Sequence, residues 1–168
     1  MLKRLLAAAG LFALTSAAFA ADIEIAEPRI RAMLPNQPSA AAYMEIRNAG
    51  AEADVLLSAT SADAGAVELH SMAMDDDVMT MRPVEGGVEI PAGGSAVFAP
   101  GGLHMMLVDP ARTFAEGENV PVTLVFERAG EVEVRFAVLR DVAGGGTKTA
   151  HGHHAAHGAD GHAMPSGH

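Results

Sequence analysis

Apolar side chains between Ile23 and Leu139 recur mostly at every second position, not at every third or fourth. Successive residues of a strand point to opposite faces, so this period belongs to strands with one buried face and not to amphipathic helices. Val120, Val122, Leu124 and Phe126 alternate with Pro121 and Thr123, and Val132, Val134, Phe136 and Val138 alternate with Glu131, Glu133 and Arg135. Ala129-Gly130 stands between the two runs, which together read as a hairpin. Further short strands are expected near 23–31, 41–48, 54–60, 65–72, 78–84, 88–90, 95–99 and 103–108. Turn formers punctuate them: Pro35-Asn36, Asn48-Ala49-Gly50, Asp75-Asp76-Asp77, Gly86-Gly87, Gly93-Gly94 and Pro100-Gly101-Gly102. Many short strands without a long helical period predict an all-β Greek-key sandwich or small barrel with little helix. No internal repeat points to a solenoid or propeller.

The two ends break this pattern. Residues 1–20 read as a secretory signal: Lys3 and Arg4 are the basic start, Leu5 to Leu14 the apolar stretch, and Ala18-Phe19-Ala20 the small-residue cleavage site. Thr15-Ser16 interrupt the apolar run before it reaches the roughly 20 residues a membrane span needs. No later segment resembles a span, so the mature chain is expected to be exported and soluble, without membrane insertion. From residue 143 to 168 the composition turns to Gly, Ala and His, and such a tract cannot bury enough apolar surface to offset its ordering entropy. It is expected to be disordered. The predicted folded unit is therefore 22–142.

That unit holds 8 basic and 20 acidic side chains within a whole-chain balance of 11 against 21. Nucleic-acid binding and an anionic membrane surface are excluded on charge, because either needs a basic footprint that is missing. The chain also has no cysteine, which removes disulfide scaffolds, thiolate zinc sites, iron–sulfur clusters and cysteine nucleophiles. No HExxH zinc motif and no GxSxG elbow occurs, so hydrolase chemistry is unsupported and no enzymatic activity is expected.

Ten methionines and eight histidines remain to be accounted for. Only two histidines, His70 and His104, fall in the predicted folded unit, and each is followed two residues later by a methionine, Met72 or Met106. On a strand, i and i+2 share a face, so each pair presents an imidazole beside a thioether while Leu103, Met105 and Leu107 face the other way. Thioether sulfur is a poor ligand for hard cations but, with imidazole, suits copper(I). A site of His70, Met81, His104 and Met106 would be neutral and soft. Met72 and Met79 are further candidates, as a substitute ligand or as lining. Met33, Met44, Met74 and Met105 are read as packing, the ordinary role of methionine. Asp75-Asp76-Asp77 lacks the spacing of an EF-hand and reads as a solvated turn.

His70, ten intervening residues, Met81, and then His104-Met105-Met106 within Pro100-Gly101-Gly102-Leu103-His104-Met105-Met106-Leu107 resemble the PCuAC family of periplasmic copper(I) chaperones. Val67-Glu68-Leu69-His70, Val78-Met79-Thr80-Met81-Arg82-Pro83-Val84 and Ile90-Pro91-Ala92-Gly93-Gly94 carry the same likeness. The family spacing is His-x10-Met-x21-His-x-Met, whereas 22 residues separate Met81 from His104 here; the surplus is expected in the glycine-rich turns near 86–94. The resemblance implies a cupredoxin-like barrel and copper(I) held by His70, Met81, His104 and Met106. It also implies delivery to a copper-accepting protein, such as the copper subunit of cytochrome c oxidase or another copper assembly factor.

His151, His153, His154, His157, His162 and His168, with Met164, place many donors in a short flexible span suited to copper(II), zinc or nickel. The leading expectation is a periplasmic copper chaperone with a core copper(I) site and a tail that binds copper(II). A blue-copper electron carrier is excluded, since it needs a cysteine thiolate. The competing reading is a periplasmic sandwich binding module whose core His and Met are incidental and whose tail scavenges zinc or copper.

Overall fold

The computed structural model describes residues 22–75 and 78–142. The proposed signal, the His-rich tail and Asp76-Asp77 lie outside the described residues. Ten strands follow in order: β1 (Ile23–Arg31), β2 (Ser39–Asn48), β3 (Asp54–Thr60), β4 (Ala64–Asp75), β5 (Val78–Pro83), β6 (Val88–Ile90), β7 (Ser95–Phe98), β8 (His104–Pro110), β9 (Asn119–Phe126) and β10 (Gly130–Leu139). There is no helix among the described residues, and none therefore long and apolar enough to cross a membrane.

The sheet closes on itself. Hydrogen-bonded neighbours run β4-β8-β2-β1-β10-β9-β3, and β3 returns to β4 through Ala59 opposite Val67, giving a seven-stranded cupredoxin-like barrel. β1 and β10 pair in parallel and the other barrel pairs are antiparallel. Closure removes the free edges that an open sheet would expose. Three strands stand outside the ring: β5 on β4, β6 on β3 and β7 on β2.

The period read from the sequence sets which side chains face inward. Val120, Val122, Leu124 and Phe126 of β9 are buried, as are Val134, Phe136 and Val138 of β10, with Val132 partly buried against them. Gly130 adopts a φ of 75° at the turn, a conformation costly for a residue with a Cβ. Met44 and Met105 are buried and Met33 packs against the core, as their packing reading requires. The buried side chains of Asp54 and Asn48 are satisfied: Asp54 accepts from the backbone N–H of Val55, Arg128 and Ala129, which ties the β9–β10 turn to β3. Asn48 donates to the carbonyls of Glu52 and Ile90.

Two boundaries differ from the sequence reading in a way that matters for function. β8 continues to Pro110, and β4 runs on from residue 72 to Asp75. The extension exists because β5 folds back on β4 from Asp75 opposite Val78 to His70 opposite Pro83. β4 is thus a barrel strand in its first half and one arm of a hairpin in its second.

Candidate metal centre

The site begins with register. β4 and β8 run antiparallel with Leu69 opposite Met105, His70 opposite His104 and Glu68 opposite Met106. Directly opposed residues share a face. Leu69 and Met105 point into the core, so His70, His104, Glu68 and Met106 occupy the reverse face. The β4–β5 ladder adds Met72 opposite Met81 and Met74 opposite Met79 to that same face. One sheet face therefore gathers the two histidines and five methionines.

The turn before β8 fixes the first imidazole. Gly101, at a φ of 82°, lets the chain reverse between β7 and β8. The Gly102 carbonyl that follows receives the backbone N–H of Met72 at 3.2 Å and faces His104 Nδ1 at 3.0 Å. A carbonyl only accepts, so Nδ1 carries the proton and Nε2 is left with its lone pair. Nε2 lies 3.2 Å from Met81 Sδ. His70 stands edge-on to this ring, with centroids 5.7 Å apart and an interplanar angle of 81°. Its Nε2 is 3.1 Å from Glu68 Oε2. Its Nδ1 is buried and has no hydrogen-bond partner.

Burial is graded across the cluster. His70 and His104 are 9% and 7% exposed, Met81 is 48% exposed and Met74 is 66% exposed. The imidazoles are shielded, Met72 and Met106 are half-buried, and Met74, Met79 and Met81 are exposed. No three His, Asp or Glu side chains converge among the described residues, so a hard, carboxylate-rich centre is not formed there.

Of the residues singled out from sequence, His70, His104 and Met81 are drawn together directly. Met106 sits one side-chain pair along the same face, opposite Glu68 and beside Ala41 of β2. Met72 is half-buried across from Met81, and Met79 is exposed further out along the hairpin. Met74 corrects its packing reading: it lies beyond the barrel on the overhanging part of β4, where no core exists to receive it. Glu68, not among the site residues expected from sequence, joins the cluster through His70. The i, i+2, i+4, i+6 series Glu68, His70, Met72, Met74 carried the signal for both, once β4 is known to continue to Asp75. The tail donors His151, His153, His154, His157, His162, Met164 and His168 are outside the described residues.

The family described as "Putative lipoprotein LpqE-like" matches residues 23–138, which is nearly the whole of the described domain. The chain belongs to the LpqE-like family and is of the PCuAC type. The copper-bound PCuAC domain from PmoF2 is 33% identical to this PCuAC-type chain, with a TM-score of 0.59 over 70% of this chain and 92% of the other. The solution structure of CuI-DR1885 from Deinococcus radiodurans is 27% identical, with a TM-score of 0.54 over 71% and 78%. A curated relative, "Putative lipoprotein Lxx21020" of Leifsonia xyli subsp. xyli, is 34% identical over 86 residues, 51% of this chain. The match spans about half the length of that relative, 52%. The PCuAC relatives thus include copper-bound domains, and the lipoprotein names of the family are those of exported proteins.

Proposed function

We propose that this chain is a non-enzymatic copper carrier that takes copper(I) as cargo at His70, Met81, His104 and Met106. The observation that carries the reading is the approach of His104 Nε2 to Met81 Sδ at 3.2 Å, beside a buried His70. A borderline nitrogen and a soft sulfur at that spacing can share one small cation. The unpartnered Nδ1 of His70 fits the same purpose, since a buried polar atom without a partner is what an absent ligand leaves behind. Two neutral imidazoles and two thioethers add no charge to a monovalent ion, which matches softness without creating a buried anion. Copper-bound PCuAC relatives support the metal.

The gradient of exposure supports carriage of the ion as cargo. The histidines hold the cargo from the shielded side, and Met81 meets it from the open side, where an acceptor can approach. The proposed place of work is the periplasm, after removal of residues 1–20. The proposed acceptor is a copper-accepting protein such as the copper subunit of cytochrome c oxidase or a copper assembly factor serving it. The tail, with six histidines in the last 18 residues, adds capacity for copper(II).

The test is an anaerobic copper(I) titration against a chromogenic competitor. It uses the full-length chain with the six tail histidines replaced by Ala. One copper(I) per chain, lost in His104→Ala and in Met106→Ala, is the expected result. If that chain takes up no copper(I) while the unaltered chain does, the tail is the binding element and the core-site reading fails.

A further inference from the structure

A neutral imidazole has one N–H and one lone pair, and the proton sits where an acceptor receives it. In His104 the acceptor is the Gly102 carbonyl at Nδ1, and the bare nitrogen is the Nε2 that meets Met81. In His70 the arrangement is reversed. The acceptor is Glu68 Oε2, 3.1 Å from Nε2, and the nitrogen left bare is the buried Nδ1 with no protein partner. Pro83, the other cross-strand neighbour of His70, offers no polar side chain.

We propose that Glu68 is a positioning residue that holds the His70 proton on Nε2, so that His70 meets copper(I) through Nδ1 while His104 does so through Nε2. The inference rests on the copper(I) reading above and adds a residue and two ligand atoms to it. Glu68 is suited to the task by its place in the strand: it is two residues from His70, hence on the same face, and opposite Met106 in the ladder. Its side chain is half in solvent while one carboxylate oxygen reaches the ring. A neutral imidazole presents one lone pair, so binding to the neutral rings by this route displaces no proton, and nothing is oxidised or reduced. A carboxylate behind a ligating imidazole fixes both tautomer and ring angle, and losing such a group typically costs 10- to 100-fold in metal affinity.

The experiment uses the full-length chain with the six tail histidines changed to Ala, so that only two imidazoles report. Ring nitrogen-15 spectra of the metal-free protein should show His104 protonated on Nδ1 and His70 protonated on Nε2. Copper(I) should then shift Nε2 of His104 and Nδ1 of His70. Glu68→Ala should weaken copper(I) binding about 10- to 100-fold, and Glu68→Gln, which keeps an acceptor oxygen, should restore most of it. A His70 proton found on Nδ1, a copper-induced shift at His70 Nε2, or a Glu68→Ala affinity within threefold of the parent would each overturn the assignment. A Gln variant as weak as the Ala variant would overturn it too, by making charge and not proton placement the source. If the parent itself binds no copper(I), the carrier reading falls first and this one with it. Copper(I) binding that ignores Glu68 brings down this inference alone.

Discussion

Met105 and Met106 are adjacent in sequence and opposite in role, which makes them a sensitive pair to perturb. Met105 is fully buried, opposite Ala42 on β2 and Leu69 on β4. Truncation to Ala removes three heavy-atom groups from the core, about 2.4 kcal/mol of transfer free energy at about 0.8 kcal/mol per group. The cavity left between three strands raises the cost to about 3–4 kcal/mol, inside the range of about 2–5 kcal/mol for such changes. For a domain of this size that lowers Tm by about 10–20 °C. Met106 is only half-buried, and Met106→Ala should cost about 1 kcal/mol or less. Copper(I) affinity should respond in reverse. Met106→Ala is expected to lose about tenfold or more, equivalent to about 1.4 kcal/mol of binding, and Met105→Ala much less while it remains folded. Urea unfolding monitored by circular dichroism gives the first pair of numbers, and competition titration gives the second. A stable Met105→Ala alongside a destabilised Met106→Ala would mean that β8 is off by one residue, because a single slip in register exchanges the two faces.

Other perturbations separate turn geometry, surface charge and the tail. Gly87→Ala should destabilise by about 2 kcal/mol or more, because a Cβ there meets the Leu56 carbonyl oxygen at 2.5 Å and the φ of 89° disfavours any side chain; chemical denaturation measures it. Arg112, and after it the Ala115 N–H, holds the Glu118 carboxyl below the usual carboxylate range. The stability that this exposed pair supplies is therefore present above that range and lost as pH falls through the lowered value. The Tm difference between the parent and Glu118→Gln should be small at neutral pH and vanish in acid. Replacing the six tail histidines by Ala should abolish most copper(II) uptake, read by electron paramagnetic resonance, without changing the single copper(I) equivalent. Retained copper(II) capacity would show that the tail is not its seat.

Most of the barrel was legible because its strands are half-buried and therefore alternate. β1, β3 and β6 fall where their apolar periods and flanking turns place them, and the β9–β10 hairpin is set by Ala129-Gly130. The shared face of His104 and Met106 could likewise be read, since i and i+2 on a strand leave no freedom. What the sequence did not disclose is tertiary. The end of β4 depends on its pairing with β5, so Met74 looked like filler when it is exposed on the overhang. The contact between Met81 and His104 depends on two ladders and one glycine turn acting together, none of which is a local pattern. Glu68 is one of many strand carboxylates in this acidic domain, and nothing in one sequence marks which of them will face a particular ring nitrogen.

The hairpin of β4 and β5 gives the proposed site an unequal grip. Among the described residues β5 pairs with β4 alone and has no strand on its far side, whereas β4 and β8 are staves of the closed ring. Strands held on one side open at a lower free energy than the fold as a whole. Met81 rides on that weaker strand, and His70 and His104 ride on the stronger ones. Peeling β5 away would withdraw the Met81 sulfur from the proposed site and leave both imidazoles on the barrel strands. An acceptor could then take copper from a protein that never unfolds, and the empty carrier would reset by zipping a six-residue strand back into place.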